Sequence, residues 1–181
     1  MNQEQSGEAD VWTVGHSTRT AEEFGHILLA HGIRTLVDVR SFPGSRRYPQ
    51  FNRERLKDYL LTINIGYVHA PLLGGRRVSS LKSHNTAWKN ASFRAYADYM
   101  ETEWFREGIT GLMELASEKT TAIMCAEALW WRCHRSLIAD YLKARGIRVV
   151  HILDERKTEV HPFTPAASII NGELSYRGLL E

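Results

Sequence analysis

Short apolar runs alternating with segments of helical spacing set the limits on how this chain can fold. The runs lie at residues 11–14, 35–39, 67–69, 121–124 and 148–153, and each reads as a strand. After the first, Thr20 with Glu23 makes a capping box, and Phe24, Ile27 and Leu28 share one helix face before Gly32. Asn52 is the expected cap of a second helix built on Leu56, Tyr59, Leu60 and Ile63. A longer helical region covers residues 92–117, with a break expected near Gly108 or Gly111. Residues 136–145 form another helix, closed by Gly146. Pro43, Gly44 and Pro49 make 41–50 a loop, and 76–90 read as an excursion without periodicity. Asn171-Gly172 between two short runs signals a C-terminal hairpin.

This alternation predicts an α/β fold: a three-layer domain with a mostly parallel sheet of about five strands and helices on both faces. Residues 11–181 are expected to form that one domain, and the polar 1–10 a disordered tail. Right-handed crossovers place all strand C-termini on one edge, where ligands of open α/β sheets bind.

With 181 residues, 43% of them hydrophobic, the chain can bury a core without metal or disulfide staples. No apolar run approaches a membrane span, and the first ten residues lack a signal-peptide pattern, so a cytoplasmic location is expected. Cys125 and Cys133 make no disulfide framework and read as free thiols.

The net charge of +2 hides a segregation. Windows 40–57 and 71–90 hold 10 of the 23 basic residues and only one acid, including Arg46, Arg47, Arg76 and Arg77. Phe42, Tyr48, Phe51 and Trp88 are interleaved with them. Such a face suits an anionic partner, either a small molecule or nucleic acid, although solvated basic loops have the same composition.

The expected strand ends gather ionisable side chains on one rim. The first run delivers His16 and Ser17, the second Asp38 and Arg40, the third His69, and the fourth Cys125 and Glu127. The fifth carries His151 and ends near Asp154. Convergence of this kind in a cleft is how reactivity is built. Cys125 is a candidate thiolate, stabilised by following backbone N–H groups and a nearby arginine, or else a small buried apolar residue. Cys133-His134-Arg135 opens the next helix eight residues later. Glu127 and Asp38 are either general bases or ion-pair partners for Arg135 and Arg40. The candidate catalytic set is Cys125, Glu127, Arg135 and His16. The candidate ligand-binding set is Ser17, Asp38, Arg40, His69, Arg46, Arg47, Arg76 and Arg77.

Three functional classes follow. One is a cysteine-dependent transferase or hydrolase acting on, or binding, an anionic, phosphate-bearing ligand. Another is a metal or redox site at Cys125, Cys133 and His134, with zinc or iron as the metal. The third is a nucleic-acid binder or DNA-processing accessory protein using loops 40–57 and 71–90. No cofactor and no oligomeric state can be read from the residues.

Residues 35–40 with Cys125, Arg135-Ser136, Leu142, Gly146 and Val149-Val150 resemble rhodanese-like domains in order and flavour. Those domains carry sulfur as a cysteine persulfide cradled by loop amides. Here Arg135 stands ten residues after Cys125, no glycine lies between Cys125 and Gly146, and Trp130 and Trp131 fill the gap. The phosphatase spacing of six also fails, because position 131 is Trp. A tight anion-cradling loop is therefore not expected.

A fuller set of motifs comprises Val14-Gly15-His16-Ser17, Asp38-Val39-Arg40 with Pro43 and Ser45, Gly66-Tyr67, and Leu73-Gly74-Gly75. It continues with Phe93, Tyr96 and Met100, then Met124-Cys125-Ala126-Glu127, Cys133-His134-Arg135 and His151-Ile152. Over about residues 11–153 this set resembles the domain of unknown function 488 family. The resemblance implies an α/β domain of this size and carries over no established reaction.

Overall fold

The computed structural model describes residues 10–178. The expected disordered tail lies outside them except for Asp10, which pairs with Arg148 at 2.8 Å. The chain runs β1 (Val11–Gly15), α1 (Ala21–Ala30), β2 (Thr35–Asp38), α2 (Arg53–Thr62), β3 (Gly66–His69), α3 (Ala91–Tyr99) and α4 (Glu103–Glu118). It continues through β4 (Thr121–Cys125), α5 (Arg135–Ala144), β5 (Val149–Ile152) and β6 (Thr158–Val160) to the hairpin β7 (Ser168–Ile170) and β8 (Glu173–Ser175).

The main sheet has the order β3-β2-β4-β1-β5-β6. Its first five strands are parallel, and β6 runs antiparallel to β5 at the edge. That sixth strand is not expected from the sequence. Its three residues show no apolar run, and pairing with β5 alone makes it a strand.

Each face of the sheet has its own core. Phe24, Ile27 and Leu28 of α1 and Leu56 and Leu60 of α2 pack with Val14, Leu36 and Met124. On the opposite face Tyr96, Leu112, Leu137 and Leu142, from α3, α4 and α5, pack with Val11, Val37 and Ile123.

Local chemistry explains most boundaries. Thr20 and Glu23 form the reciprocal capping box of α1. Asn171 and Gly172 both adopt positive φ, as a type I′ hairpin turn requires. Two expectations need correcting. The long helical region breaks at residues 100–102, not at Gly108 or Gly111, because the Thr102 hydroxyl accepts from Phe105 N and starts α4 afresh. Gly108 sits inside α4, where a Cβ would press within 2.9 Å of Leu73. Asn52 precedes α2 but does not cap it: its side-chain oxygen accepts from Ser45 N at 2.6 Å and pins the 41–50 loop.

This topology opens a crevice at the C-terminal edge. The connections leaving β1 and β2 lead to α1 and α2 on one face, while those leaving β3 and β4 lead to the other. β4 lies between β1 and β2, so neighbouring chain exits diverge there, the arrangement in which α/β sheets bind ligands. No helix among the described residues is long and apolar enough to cross a membrane.

Candidate functional site

Two thiols lie at the floor of that crevice. Cys125 ends β4 and Cys133 lies two residues before α5, and their sulfurs stand 2.8 Å apart. Both are almost fully buried, and both are free. Arg135 Nε donates to Cys125 Sγ at 3.0 Å. Its Nη2 donates to the Glu127 carbonyl at 2.6 Å, and its Nη1 to Thr13 Oγ1 at 3.0 Å. The guanidinium is 1% exposed, and among the described residues no carboxylate touches it. Burying such a charge is costly unless an anion or strong dipoles compensate it.

The thiol pair supplies that compensation. Burial pushes Cys133 up, but the hydrogen bond with Cys125 and the charge and donors of Arg135 outweigh it and bring Cys133 down to about 7. Burial and the Cys133 contact push Cys125 well up. The contact drives the two thiols apart, Cys133 down and Cys125 up. The more acidic thiol is thus Cys133, next to His134, rather than Cys125. Backbone amides after Cys125 do not stabilise its sulfur; among the described residues its partners are Arg135, Cys133 and the Glu127 carbonyl at 3.6 Å.

His134 donates from Nε2 to Val39 O at 3.0 Å, which leaves Nδ1 as an acceptor 3.3 Å from Cys133 Sγ. Gly75 makes room for that ring: a Cβ there would come within 2.5 Å of Nδ1. Gly15 plays the same part under the chain leaving β4, since a Cβ would meet the Glu127 carbonyl at 1.9 Å. These close approaches are what the glycines of Val14-Gly15-His16-Ser17 and Leu73-Gly74-Gly75 allow.

His16 and Arg40 form one wall of the cleft, whose volume is about 460 Å³. Arg40 forks onto Asp38, with Nε 2.8 Å from Oδ1 and Nη2 2.6 Å from Oδ2, and Tyr67 adds its hydroxyl to Oδ2 at 2.5 Å. Asp38 is therefore an ion-pair partner. His16 donates from Nδ1 to Ser17 O at 2.8 Å and accepts from Arg40 Nη1 at 3.3 Å. It stacks on Phe51 at 4.1 Å. Burial first, then the Arg40 charge, lower its pKa to about 4, so the ring is neutral at pH 7.

The cleft thus brings together His16, Arg40, Arg76, Cys125 and Glu127. The Glu127 carboxylate is exposed and, among the described residues, accepts only from Leu129 N, at 3.3 Å; its carbonyl, not its carboxylate, meets Arg135. Arg135 lies behind the thiols and does not line the cleft. His69 donates to Arg40 O at 2.9 Å but faces a separate cavity with Val37 and Leu112. Ser17 is held by its backbone, and Arg46 and Arg47 are exposed beyond the cleft. Arg77 lies 3.4 Å over Tyr99 and donates to the Gly74 and Pro71 carbonyls, a structural role. Sequence reasoning missed Arg132, Tyr48 and Phe93, which also line the cleft. Tyr48, inside the basic loop, and Phe93, among the family-motif residues, carried a signal; Arg132 carried none.

Among the described residues no group of three or more His, Cys, Asp or Glu side chains is arranged to hold a metal ion.

No curated protein and no solved structure matches this chain. The family described as "Domain of unknown function DUF488" matches residues 20–142, from the cap of α1 to the third turn of α5, and so takes in both thiols, Arg40, His134 and Arg135. That match covers well over half of the 181 residues, and the chain belongs to this family.

Proposed function

We propose that the chain is a cysteine-dependent enzyme, a transferase or hydrolase, acting on an anionic, phosphate-bearing ligand in the cleft. The observation that carries this reading is the Cys125–Cys133 contact above a buried guanidinium that has no carboxylate partner. Cys133 is the nucleophile, because a thiolate is the reactive form. Its sulfur lies 2.8 Å from Cys125 Sγ, and His134 Nδ1, 3.3 Å away, stands ready to take its proton. Arg76 and Arg132, both exposed at the cleft and without a carboxylate among the described residues, hold the charge of the ligand. The ligand's phosphate is either that of a small molecule or that of a nucleic acid.

Iodoacetamide labelling mapped by mass spectrometry tests this. Cys133 should alkylate with a midpoint near pH 7, and millimolar inorganic phosphate should slow the labelling. A thiol that stays unmodified up to pH 8, or labelling indifferent to phosphate, would overturn the reading.

The sulfur–sulfur contact favours a second reading, a dithiol that cycles to a disulfide. Both thiols would then give up a proton and an electron to a disulfide substrate, which is reduced to two thiols. Exposure to oxidised glutathione would convert wild-type protein to the Cys125–Cys133 disulfide. Persistent free thiols would exclude it.

A further inference from the structure

Behind Arg135 a continuous set of hydrogen bonds crosses the interior. Arg135 Nη1 donates to Thr13 Oγ1 at 3.0 Å, and Thr13 Oγ1 lies 2.6 Å from His151 Nδ1. His151 Nε2 lies 2.8 Å from His161 Nδ1, and His161 Nε2 lies 2.9 Å from Asp140 Oδ1. Asp140 also accepts from Thr164 N, Thr164 Oγ1 and Tyr176 Oη, at 2.9, 2.5 and 2.8 Å. Thr13, His151, His161, Asp140 and Arg135 are all between 0% and 1% exposed, so no ligand reaches the chain.

Donor and acceptor chemistry gives the chain one direction. A carboxylate only accepts, so His161 carries a proton on Nε2, and as a neutral ring it offers the Nδ1 lone pair to His151. His151 then donates from Nε2 and accepts at Nδ1 from the Thr13 hydroxyl. That leaves the Thr13 oxygen to accept from Arg135, the one thing a guanidinium can offer. Burial, and then the Arg135 charge, hold His151 well below the ordinary histidine range, which keeps its ring neutral. Trp130 stacks on it at 4.3 Å and fixes its plane.

We propose that Thr13, His151, His161 and Asp140 are positioning residues, a one-way hydrogen-bond chain that ties the buried Asp140 carboxylate to the Arg135 guanidinium and so holds Arg135 Nε against the Cys125–Cys133 pair. The proposal rests on the reading of Cys133 as a thiolate. Without Thr13 Oγ1, Nη1 has no partner in a dry site and the guanidinium has no reason to keep that orientation. Among the described residues, the other charged or titratable groups facing the sulfurs are His134 on the approach to α5, His16 and Arg40 from the ends of β1 and β2, Tyr48 and Arg76 from the two basic loops, Tyr96 from α3, and Glu127 and Arg132 on the loop after β4. Around the far end lie Lys143, which donates to His161 O at 2.7 Å, Tyr176, and Glu159, which accepts from Trp130 Nε1 at 3.1 Å. None of these substitutes for the Thr13 hydroxyl.

The test pairs thiol titration with ring tautomers. In Thr13→Val, which keeps the shape, the pH midpoint for Cys133 alkylation should rise by about one unit, and in Thr13→Ser it should return to the wild-type value. Asp140→Asn should raise the midpoint in the same direction. Nitrogen-15 spectra of the wild-type protein should show both His151 and His161 as neutral rings protonated at Nε2, a readout that needs no variant to fold. An unmoved midpoint in a folded Thr13→Val protein would overturn the chain. So would an imidazolium at His161 with His151 protonated at Nδ1. A wild-type midpoint at the ordinary thiol value would instead overturn the thiolate reading, with the tautomers still reporting on the chain itself.

Discussion

Arg135 Nε stands 3.0 Å from Cys125 Sγ, ten residues away in sequence and on the next element of the fold. A guanidinium this deeply buried ordinarily faces a carboxylate; here the partners are two thiols, two backbone carbonyls and one hydroxyl. The sulfurs are the groups that can become negative. Replacing Arg135 with Leu should raise the alkylation midpoint of Cys133 from about 7 by about one to three units. Arg135→Lys should recover only part of the effect, because an ammonium cannot reach Thr13, Glu127 O and the thiols together. Cys125→Ser should raise the midpoint less than Arg135→Leu, since a hydroxyl still donates to Cys133. Labelling rates across pH 5–10 read out all three.

His16 makes folding sensitive to acid. Its folded pKa of about 4 lies below the 6.5 of an ordinary histidine, so the unfolded chain takes up the proton first as pH falls. Its contribution is therefore complete above 6.5 and is lost between 6.5 and about 4, amounting to about 3 kcal/mol. His151 adds to the slope in the same direction. His16→Gln keeps an acceptor for Arg40 and cannot charge. Urea unfolding at pH 7.5 and 5 should show the variant losing less stability than the wild type over that interval. Equal losses would show that His16 is not the group responsible.

Much of the site was legible from the strand ends. Residues 15–17, 38–41 and 125–127 do meet at one rim, because parallel strands with right-handed crossovers leave their C-termini no other place. The capping box at Thr20 and the Asn171-Gly172 turn were equally readable, since each is a local signal with a local cause. What failed was long-range. Nothing near Glu127 in sequence indicates that its carbonyl, rather than its carboxylate, receives Arg135. Thr13 and His151 are 138 residues apart, and only their pairing across β1 and β5 makes them partners. The helix break moved to Thr102 because its hydroxyl caps the start of a new helix, whereas Gly108 stays helical and packs against Leu73.

The glycines can be ranked by what a methyl group would meet. Gly15→Ala forces the Glu127 carbonyl away from Arg135 and should cost on the order of 3 kcal/mol. Gly75→Ala presses on the His134 ring and should alter Cys133 labelling as well as stability. Gly44→Ala meets nothing within 4 Å and should be close to neutral. Thermal denaturation and labelling of the three variants together check this order, and a neutral Gly15→Ala would contradict the packing at the end of β1.

Charge reversal at the basic residues separates a small anion from a polyanion as the occupant. Arg76 and Arg132 line the cleft with the thiols, so Glu at both positions should abolish protection of Cys133 by inorganic phosphate. Arg46 and Arg47 are exposed outside the cleft, and a ligand that fits within about 460 Å³ has no need of them. Glu at Arg46 and Arg47 should therefore leave phosphate protection unchanged. If the phosphates belong to nucleic acid, those same two substitutions should weaken binding of a single-stranded oligonucleotide. They should also flatten its dependence on salt, by a log–log slope of roughly one for each phosphate no longer neutralised. Arg77→Glu is the control. Its guanidinium is held by Tyr99 and the Gly74 and Pro71 carbonyls, so its loss should lower the melting temperature instead of selectively weakening anion binding. Phosphate protection abolished only in the cleft pair, with no oligonucleotide binding at low salt, would assign the site to a small molecule. Oligonucleotide binding that depends on Arg46 and Arg47 as well would extend it across the whole basic face.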